Sequence, residues 1–291
     1  MKFFRVTFLI CVALNGSVFA QPTDPFQPDI PAPLVSKVDD ANKKVESGHY
    51  AEAVEELQDV LKQRPDYYRA LVNLGLVYQD EGIYGEAIQT LEKAKNLRDS
   101  LHISDSSILN SIGWAYMSMN RFNEAEKYFQ EALKEGHENP SETERVLNNL
   151  GYLYLQKGDT AKARVYLQKA INDYHSTGAQ KVLRMTEQYD RKRLSELITA
   201  GHDIKFGHWV PGHHYVGDIG SAQMYLRDCA GFLDQINHPA AGQVHVWATQ
   251  GNICALADAI NSTVSQILEP LVQGKIVPQL TLQHTHDGGC P

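Results

Sequence analysis

The sequence of 291 residues lacks most features that identify an enzyme, a nucleic-acid-binding protein or an integral membrane protein. No phosphate-binding glycine loop, nucleophile elbow or cysteine-protease signature occurs, so we predict a non-catalytic protein without a cofactor. Basic residues are outnumbered, and the formal net charge of -8 at pH 7 repels phosphates. Nucleic acid is therefore excluded as a partner, whereas a basic protein surface would be electrostatically matched. Apolar runs are short, and we predict no transmembrane segment.

The N-terminal 20 residues have the composition of an export signal. Lys2 and Arg5 precede an apolar run from Val6 to Leu14, and small residues follow up to Ala20. A positive start, a short apolar middle and a small residue at the end are typical of a Sec-type signal peptide. We therefore predict cleavage after Ala20 and a periplasmic or secreted mature protein.

Residues 21–33 are rich in proline, which forbids a regular helix and favours an extended conformation. The prolines are Pro22, Pro25, Pro28, Pro31 and Pro33. This composition predicts a linker between the signal peptide and the folded body, with a ligand for another domain as the alternative.

The most informative property of the chain is internal repetition. One column holds Ala41, Gly75, Gly113 and Gly151, at intervals of 34, 38 and 38 residues. Other columns keep the same register: Gly48, Gly82, Asn120 and Gly158; Ala53, Ala87, Ala125 and Ala163; Leu57, Leu91, Phe129 and Leu167. Small residues at fixed positions allow two antiparallel helices to approach closely, and the glycine or asparagine column suits a left-handed helix end.

This spacing resembles the tetratricopeptide repeat, with units near residues 34–67, 68–101, 106–139 and 144–177. The resemblance implies an all-α helical solenoid of four helix-turn-helix repeats over residues 34–177. The first repeat differs from the second at three columns that are apolar or aromatic there: it carries Lys37, Asp40 and Lys44. Such charged positions are expected at a solvated outer end of the array. Residues 178–200 are predicted to form a capping helix, within which Ala179 to Ala200 is amphipathic.

By resemblance, the first helices of the repeats line a concave groove that binds a peptide or a partner helix. The groove-facing positions are Arg69, Val72, Leu76, Gln79, Ser107, Asn110, Trp114, Met117, Arg145, Asn148, Tyr152 and Leu155. Aromatic residues, methionine and arginine are enriched at interfaces, which favours a docking function in the cell envelope. The alternative is that Trp114 and Met117 belong to the core between repeats.

Some members of this family grip a C-terminal carboxylate with lysine, asparagine and arginine at fixed positions. Asn42 and Asn73 match two of these positions, but Val38, Ser107 and Ser111 stand where cations are required. We therefore do not expect this chain to bind a carboxylate in that way.

Residues 201–291 resemble no family that we identify. Helices are predicted near residues 221–236 and 252–272, and the alternation around Val244 and Val246, with a looser one at Ile276, Leu280 and Leu282, predicts a short pair of strands. Cys229 and Cys254 fall in the two helices, where antiparallel packing would permit a disulfide in an oxidising compartment. Closing that loop would contribute roughly 3 kcal/mol in the chain-entropy model.

Two alternative functions involve this C-terminal portion. A metal site would use residues drawn from His202, His208, His213, His214, His284, His286, Asp287 and Cys290, which have zinc- or copper-binding donors but no recognised ligand spacing. We predict no metal ligand among them. Binding of an envelope polymer would use Trp209, Tyr215, Tyr225 and Trp247.

Overall fold

The fold is all-α over the part of the chain that the computed structural model describes, which comprises residues 23–136, 139–204 and 219–274. The helices are α1 (Ala32–Glu46), α2 (Tyr50–Gln63), α3 (Tyr68–Asp80), α4 (Tyr84–Leu101), α5 (Ser107–Ser118), α6 (Phe122–Glu135), α7 (Pro140–Gln156), α8 (Thr160–Tyr174), α9 (Thr177–Asp203), α10 (Ile219–Gln235), α11 (Ala241–Trp247), α12 (Ile253–Thr263) and α13 (Glu269–Val272). A π-helical segment, Val264–Leu268, joins α12 to α13. The chain divides into two compact units between Ile108 and Leu109. The predicted signal peptide lies outside the described residues.

The helix pairs α1–α2, α3–α4, α5–α6 and α7–α8 are joined by turns of one kind. Gly48, Gly82, Asn120 and Gly158 have φ values of 79°, 76°, 58° and 77°. In every turn the next residue donates its N–H to the carbonyl five positions earlier, as from His49 to Lys44 at 2.8 Å. This is the Schellman arrangement, which pairs carbonyls that a helix end otherwise leaves free. The left-handed residues predicted from the repeat columns are confirmed.

Within the pairs, small residues bring the two helices together. A Cβ atom on Gly113 would lie 2.8 Å from ring atoms of Phe129, and one on Gly151 would lie 2.4 Å from a methyl carbon of Leu167. Ala125 and Ala163 from the second helices have no exposed surface. Since real Cβ atoms do not approach other heavy atoms so closely, a larger side chain at these glycines would force the helices apart.

In the first unit, residues 24–30 pack against the folded body; we call this segment the strap. Asp24, Gln27 and Ile30 are all buried, and Ile30 joins the hydrophobic cluster that α1, α2 and α3 form. The prediction of a proline-rich linker over residues 21–33 therefore needs correction for this part. Pro31 and Pro33 lie at the start of α1, where a missing N–H is not costly.

Polar contacts hold the strap to the turn between α2 and α3. The Tyr67 hydroxyl donates to the Asp24 carboxylate at 2.7 Å, and the Gln27 side chain bonds the carbonyl of Asp66 at 2.8 Å and the N–H of Tyr68 at 2.7 Å. The Phe26 ring meets the Tyr68 ring edge-on, with centroids 5.4 Å apart. Because the Asp24 and Gln27 side chains are buried and hydrogen-bonded, the strap is part of the fold.

In the second unit, α9 follows the repeats as the predicted additional helix, and it is longer than expected. Ser176 caps its N-terminus by accepting from the N–H of Ala179 at 3.1 Å. Leu194 and Leu197 near its other end belong to the hydrophobic cluster of α10, α11 and α12. We call the helices α10, α11 and α12 the C-terminal bundle. Because α9 packs against both the repeats and this bundle, the predicted domain boundary near residue 201 stays a prediction.

A partly buried ion pair joins helices of the second unit. The Arg164 guanidinium on α8 pairs with the Asp190 carboxylate on α9, and its other terminal nitrogen donates to the carbonyl of Gln235 at the end of α10 at 3.4 Å. The Asp190 side chain is only 10% exposed. Losing either charge would leave the other without its partner in a largely dry position, which is costly.

The C-terminal bundle corrects two sequence-based expectations. Val244 and Val246 lie in the helix α11, not in a strand. Cys229 is a free, fully buried thiol that interacts with the Tyr225 hydroxyl, so the predicted disulfide with Cys254 is not formed here. The side chain of Cys254 and residues 276–282 lie outside the described residues.

Candidate functional site

The site with the most exposed aromatic surface among the predicted groove positions lies in the second unit, on α5 and α7. Trp114 and Tyr152 each follow a glycine that faces the partner helix, Gly113 and Gly151. One residue along an α-helix is a rotation of about 100°, so the aromatic side chains point away from the helix behind them. Both are partly exposed, and their rings stack with centroids 6.3 Å apart and an interplanar angle of 21°.

A cavity of about 210 Å³ opens beside this aromatic pair. Its lining residues are Trp114, Met117, Ser118, Asn120, Phe122, Tyr152 and Gln156. All seven side chains are formally uncharged, and the Gln156 amide donates to the Tyr152 hydroxyl at 2.8 Å. A small concave site with aromatic walls and a few amide groups fits an apolar side chain and the peptide bonds beside it.

Several predicted groove residues are more buried than a docking surface requires. Met117 and Leu155 are 5% and 9% exposed, respectively, which supports the alternative that Met117 belongs to the core, although it also reaches the cavity wall. Asn110 is buried and accepts from the Asn149 amide at 2.8 Å. Asn148 packs beside Gly178 at the start of α9. These side chains stabilise contacts between helices of the second unit.

The two predicted arginines are engaged within the chain. Arg145 is largely exposed but pairs with Glu142 at 2.6 Å, and Arg69 in the first unit pairs with Asp39. Burial alone would lower the pKa of Arg69, but the hydrogen bond to Asp39 and the negative charges nearby together outweigh burial, and the pKa is raised. A partner carboxylate would have to compete with these acidic side chains.

The remaining predicted groove positions lie in the first unit. Val72 and Gln79 are partly exposed and Leu76 is exposed. The side chain of Ser107 donates to the Asp105 carboxylate at 2.6 Å, which also accepts the Ser107 N–H at the start of α5. Asn73 donates to Asn42 at 2.7 Å, so the two asparagines that match the carboxylate-binding pattern bind each other.

Four cavity residues escaped the sequence-based prediction: Ser118, Asn120, Phe122 and Gln156. Asn120 was identified as a member of a repeat column, but only for its role in the turn. Gln156 is four residues after Tyr152, so it lies on the same helical face. That spacing was the available signal.

The residues of the alternative functions are largely buried or outside the described residues. Tyr225 and Trp247 belong to the hydrophobic cluster, and the Tyr225 hydroxyl donates to the carbonyl of Leu197 at 2.9 Å, so neither offers a surface to a polymer. His202 meets Glu269 at 3.1 Å. Trp209, Tyr215 and the other histidines of the two clusters lie outside the described residues. Among the residues described, no cluster of three or more His, Cys, Asp or Glu side chains could hold a metal ion, and no helix is long and apolar enough to cross a membrane.

Comparison with known proteins identifies the repeats. Residues 66–134 and 110–176 match the tetratricopeptide repeat family. Protein O-mannosyl-transferase TMTC2 of Mus musculus is 31% identical over 80 residues, which are 28% of this chain; the chain spans only 9% of that protein.

Solved structures with a similar course of the chain have low identity. MamA from Desulfovibrio magneticus RS-1 has a TM-score of 0.43 and 21% identity, covering 50% of this chain and 77% of its own. For pilF of Pseudomonas aeruginosa the TM-score is 0.46 and the identity 18%, covering 74% and 88%. For PilW, a type IV pilus biogenesis factor, they are 0.45 and 17%, covering 84% and 94%. Because the matched residues 66–176 coincide with the helix pairs α3 to α8 and their Schellman turns, this part of the chain consists of tetratricopeptide repeats.

Proposed function

We propose that this protein is a non-catalytic adaptor of the bacterial cell envelope that docks a protein or peptide partner on the first helices of its repeats. Tetratricopeptide repeats present extended surfaces for binding. The observation that carries the proposal is the cavity beside the stacked Trp114 and Tyr152 rings, which are partly exposed on neighbouring repeats.

The chemistry of the cavity defines the anchor that it accepts. Its uncharged walls offer nothing to compensate a buried charge, so a charged anchor would lose its hydration without a partner. An aliphatic or aromatic side chain would gain contact with three rings, while Asn120 and Gln156 could bond the peptide groups beside it. The net charge of -8 favours a partner whose flanking residues are basic.

The envelope location rests on the sequence of residues 1–20. The positive start, short apolar run and terminal Ala20 are those of a Sec-type signal peptide. Export would place the repeats in the periplasm or outside the cell, with a mature N-terminus at Gln21, three residues before the strap.

Replacing Trp114 or Tyr152 by alanine tests the docking surface. A photo-crosslinking amino acid at Ser118 on the cavity wall, introduced in intact cells, would capture and identify the partner. We expect either truncation to weaken binding of that partner by about 2 kcal/mol or more, a thirtyfold loss, because each removes an aromatic anchor. Calorimetry with the purified partner measures the loss. Circular dichroism should show an unchanged fold, since both side chains are partly exposed.

Tyr189→Ala is the control, because Tyr189 is an exposed aromatic residue of the second unit outside the cavity. It should leave affinity unchanged. If Trp209→Ala abolished capture while the Trp114 and Tyr152 variants retained it, binding would belong to residues 201–291 and the proposal would be wrong. Recovery of the adduct in the cytoplasmic fraction, with residues 1–20 still attached, would refute the envelope location.

A further inference from the structure

The cavity wall at Trp114 and Tyr152 carries hydrogen-bond donors beside aromatic ring faces. The Tyr152 hydroxyl accepts from the Gln156 amide at 2.8 Å, so its own proton remains available to a ligand. The Trp114 indole can only donate. Over the residues that the structure describes, no acceptor engages the Trp114 indole N–H or the Ser118 hydroxyl, and both residues line the cavity. The site therefore suits a ligand that combines an apolar face with exposed carbonyl oxygens.

Backbone chemistry decides which peptide conformation can meet these donors. A helix uses its carbonyl oxygens internally, so a partner helix presents few acceptors. A strand binds by pairing with a sheet edge, and the described elements of this chain are all helical. A polyproline II segment has no internal hydrogen bonds, so its carbonyl oxygens stay exposed. Proline adds an apolar ring and has no N–H that would need an acceptor.

The spacing of the two aromatic rings matches that of such a segment. The Trp114 and Tyr152 ring centroids are 6.3 Å apart, and the rings are nearly parallel, at 21°. Polyproline II rises about 3.1 Å per residue, so two prolines with one residue between them lie about 6 Å apart along the axis. The cavity is small, at about 210 Å³. A segment that is already ordered before binding loses the least conformational entropy, which matters most where the contact area is small.

We propose that the partner segment at this cavity, whose binding rests on the docking function proposed above, is a proline-rich stretch in the polyproline II conformation. One proline ring packs on Trp114 and a second on Tyr152, and carbonyl oxygens of the segment accept from the indole N–H and the Tyr152 hydroxyl. The net charge of -8 favours basic residues on either side of the prolines.

An NMR titration of the purified full-length chain with two peptides tests this ligand class. The peptide KGPLPPLPGK should bind about tenfold more tightly than KGALAALAGK, which keeps the charges and the leucines but lacks the preformed conformation. Binding should shift the indole N–H signal of Trp114, which is identified by its loss in Trp114→Phe. Equal affinities would overturn the proposal and assign binding to leucine, or to lysine through a cation–π contact. No binding of the proline peptide would overturn it as well.

Variants of the cavity test the contacts one at a time. Tyr152→Phe keeps the ring and removes the hydroxyl, so it should weaken binding of the proline peptide about threefold to tenfold. Trp114→Ala should weaken it about thirtyfold, because an aromatic anchor is lost. Tyr189→Phe is the control, since Tyr189 is exposed outside the cavity, and it should change nothing. An unchanged affinity in Tyr152→Phe would refute the bond from this hydroxyl to the ligand.

Photo-crosslinking at Ser118 in cells distinguishes failure of the ligand class from failure of the docking function. A crosslinked partner segment that contains prolines would support both. A captured segment without proline, with capture lost in Trp114→Ala, would refute proline recognition and leave docking intact. Absence of any captured protein would refute the docking function, and the ligand class with it.

Discussion

The helix pairs α1 to α8 and the segments that flank them are stabilised in different ways. In the pairs, the same Schellman turn recurs four times and the same small-residue column lets the helices approach. The strap and the attachment of α9 use polar contacts that occur once, such as Asp24 with Tyr67 and Asp190 with Arg164. Repetition makes the helix pairs predictable from the sequence. The contacts of the flanking segments occur once each, so they produce no periodic pattern in the sequence.

The largest effect should come from overfilling a repeated contact. Gly113→Leu would place a branched side chain where even a Cβ atom meets the Phe129 ring at 2.8 Å. We expect a loss of about 3 kcal/mol or more in the free energy of unfolding, at the upper end for overpacked cores. Urea denaturation followed by circular dichroism measures it.

Gly231 in α10 provides the control from the bundle. A Cβ atom at this position would meet no heavy atom within 4 Å. Gly231→Ala should be neutral or stabilise by about 0.5 to 1 kcal/mol, because glycine is a poor helix former. If Gly113→Leu were as stable as the parent, the close approach of α5 and α6 would be wrong.

A smaller effect is expected at the strap. Asp24→Ala removes the acceptor of the buried Tyr67 hydroxyl and of the N–H groups of Phe26 and Gln27. Burying these donors unpaired should cost about 2 kcal/mol. Limited proteolysis near residue 24 and a thermal melt would both report it.

Asp29→Ala is the matched strap variant. Asp29 is 71% exposed and pairs with Arg64 at the surface, where water screens the pair, so its removal should leave stability nearly unchanged. Equal losses for the two variants would mean that the strap is not anchored through Asp24.

The smallest effect is expected from adding a reductant, which should leave the melting temperature nearly unchanged. The Cys229 thiol is free, and burial raises its pKa to about 12, so it stays protonated at neutral pH and should react with alkylating agents only after unfolding. A melting temperature unchanged by reductant would agree. A peptide linking Cys229 to Cys254 in nonreducing mass spectrometry would contradict it and imply a stabilisation of roughly 3 kcal/mol.

The sequence predicted the helix pairs because the same residue types recur at each alignment column in four repeats. It could not distinguish a strand from a helix at Val244 and Val246, since two residues at spacing two fit either and only Val244 is buried in α11. The strap was missed for a different reason. Proline content describes the local backbone, whereas burial of Asp24 and Gln27 depends on Tyr67 and Tyr68, about forty residues later.

At the candidate site, the stacked pair of Trp114 and Tyr152 occupies corresponding repeat positions and was predicted as part of the groove. The engagement of Arg69 by Asp39 was not, because Asp39 belongs to the preceding repeat and has a different residue type in the later ones. Ion pairs between repeats differ from one repeat to the next. The position of a charged residue in the repeat alignment therefore does not predict whether its side chain is already paired.

The strap also imposes an order on folding during synthesis. Asp24 leaves the ribosome 43 residues before Tyr67, and Gln27 leaves 41 residues before Tyr68. The strap therefore has nothing to bind until the turn between α2 and α3 has followed it. The helix pair α1–α2 can form earlier, since its contacts are local. The strap therefore folds after α3 has begun to form, although it is synthesised earlier, and residues 24–30 stay accessible to proteases until then.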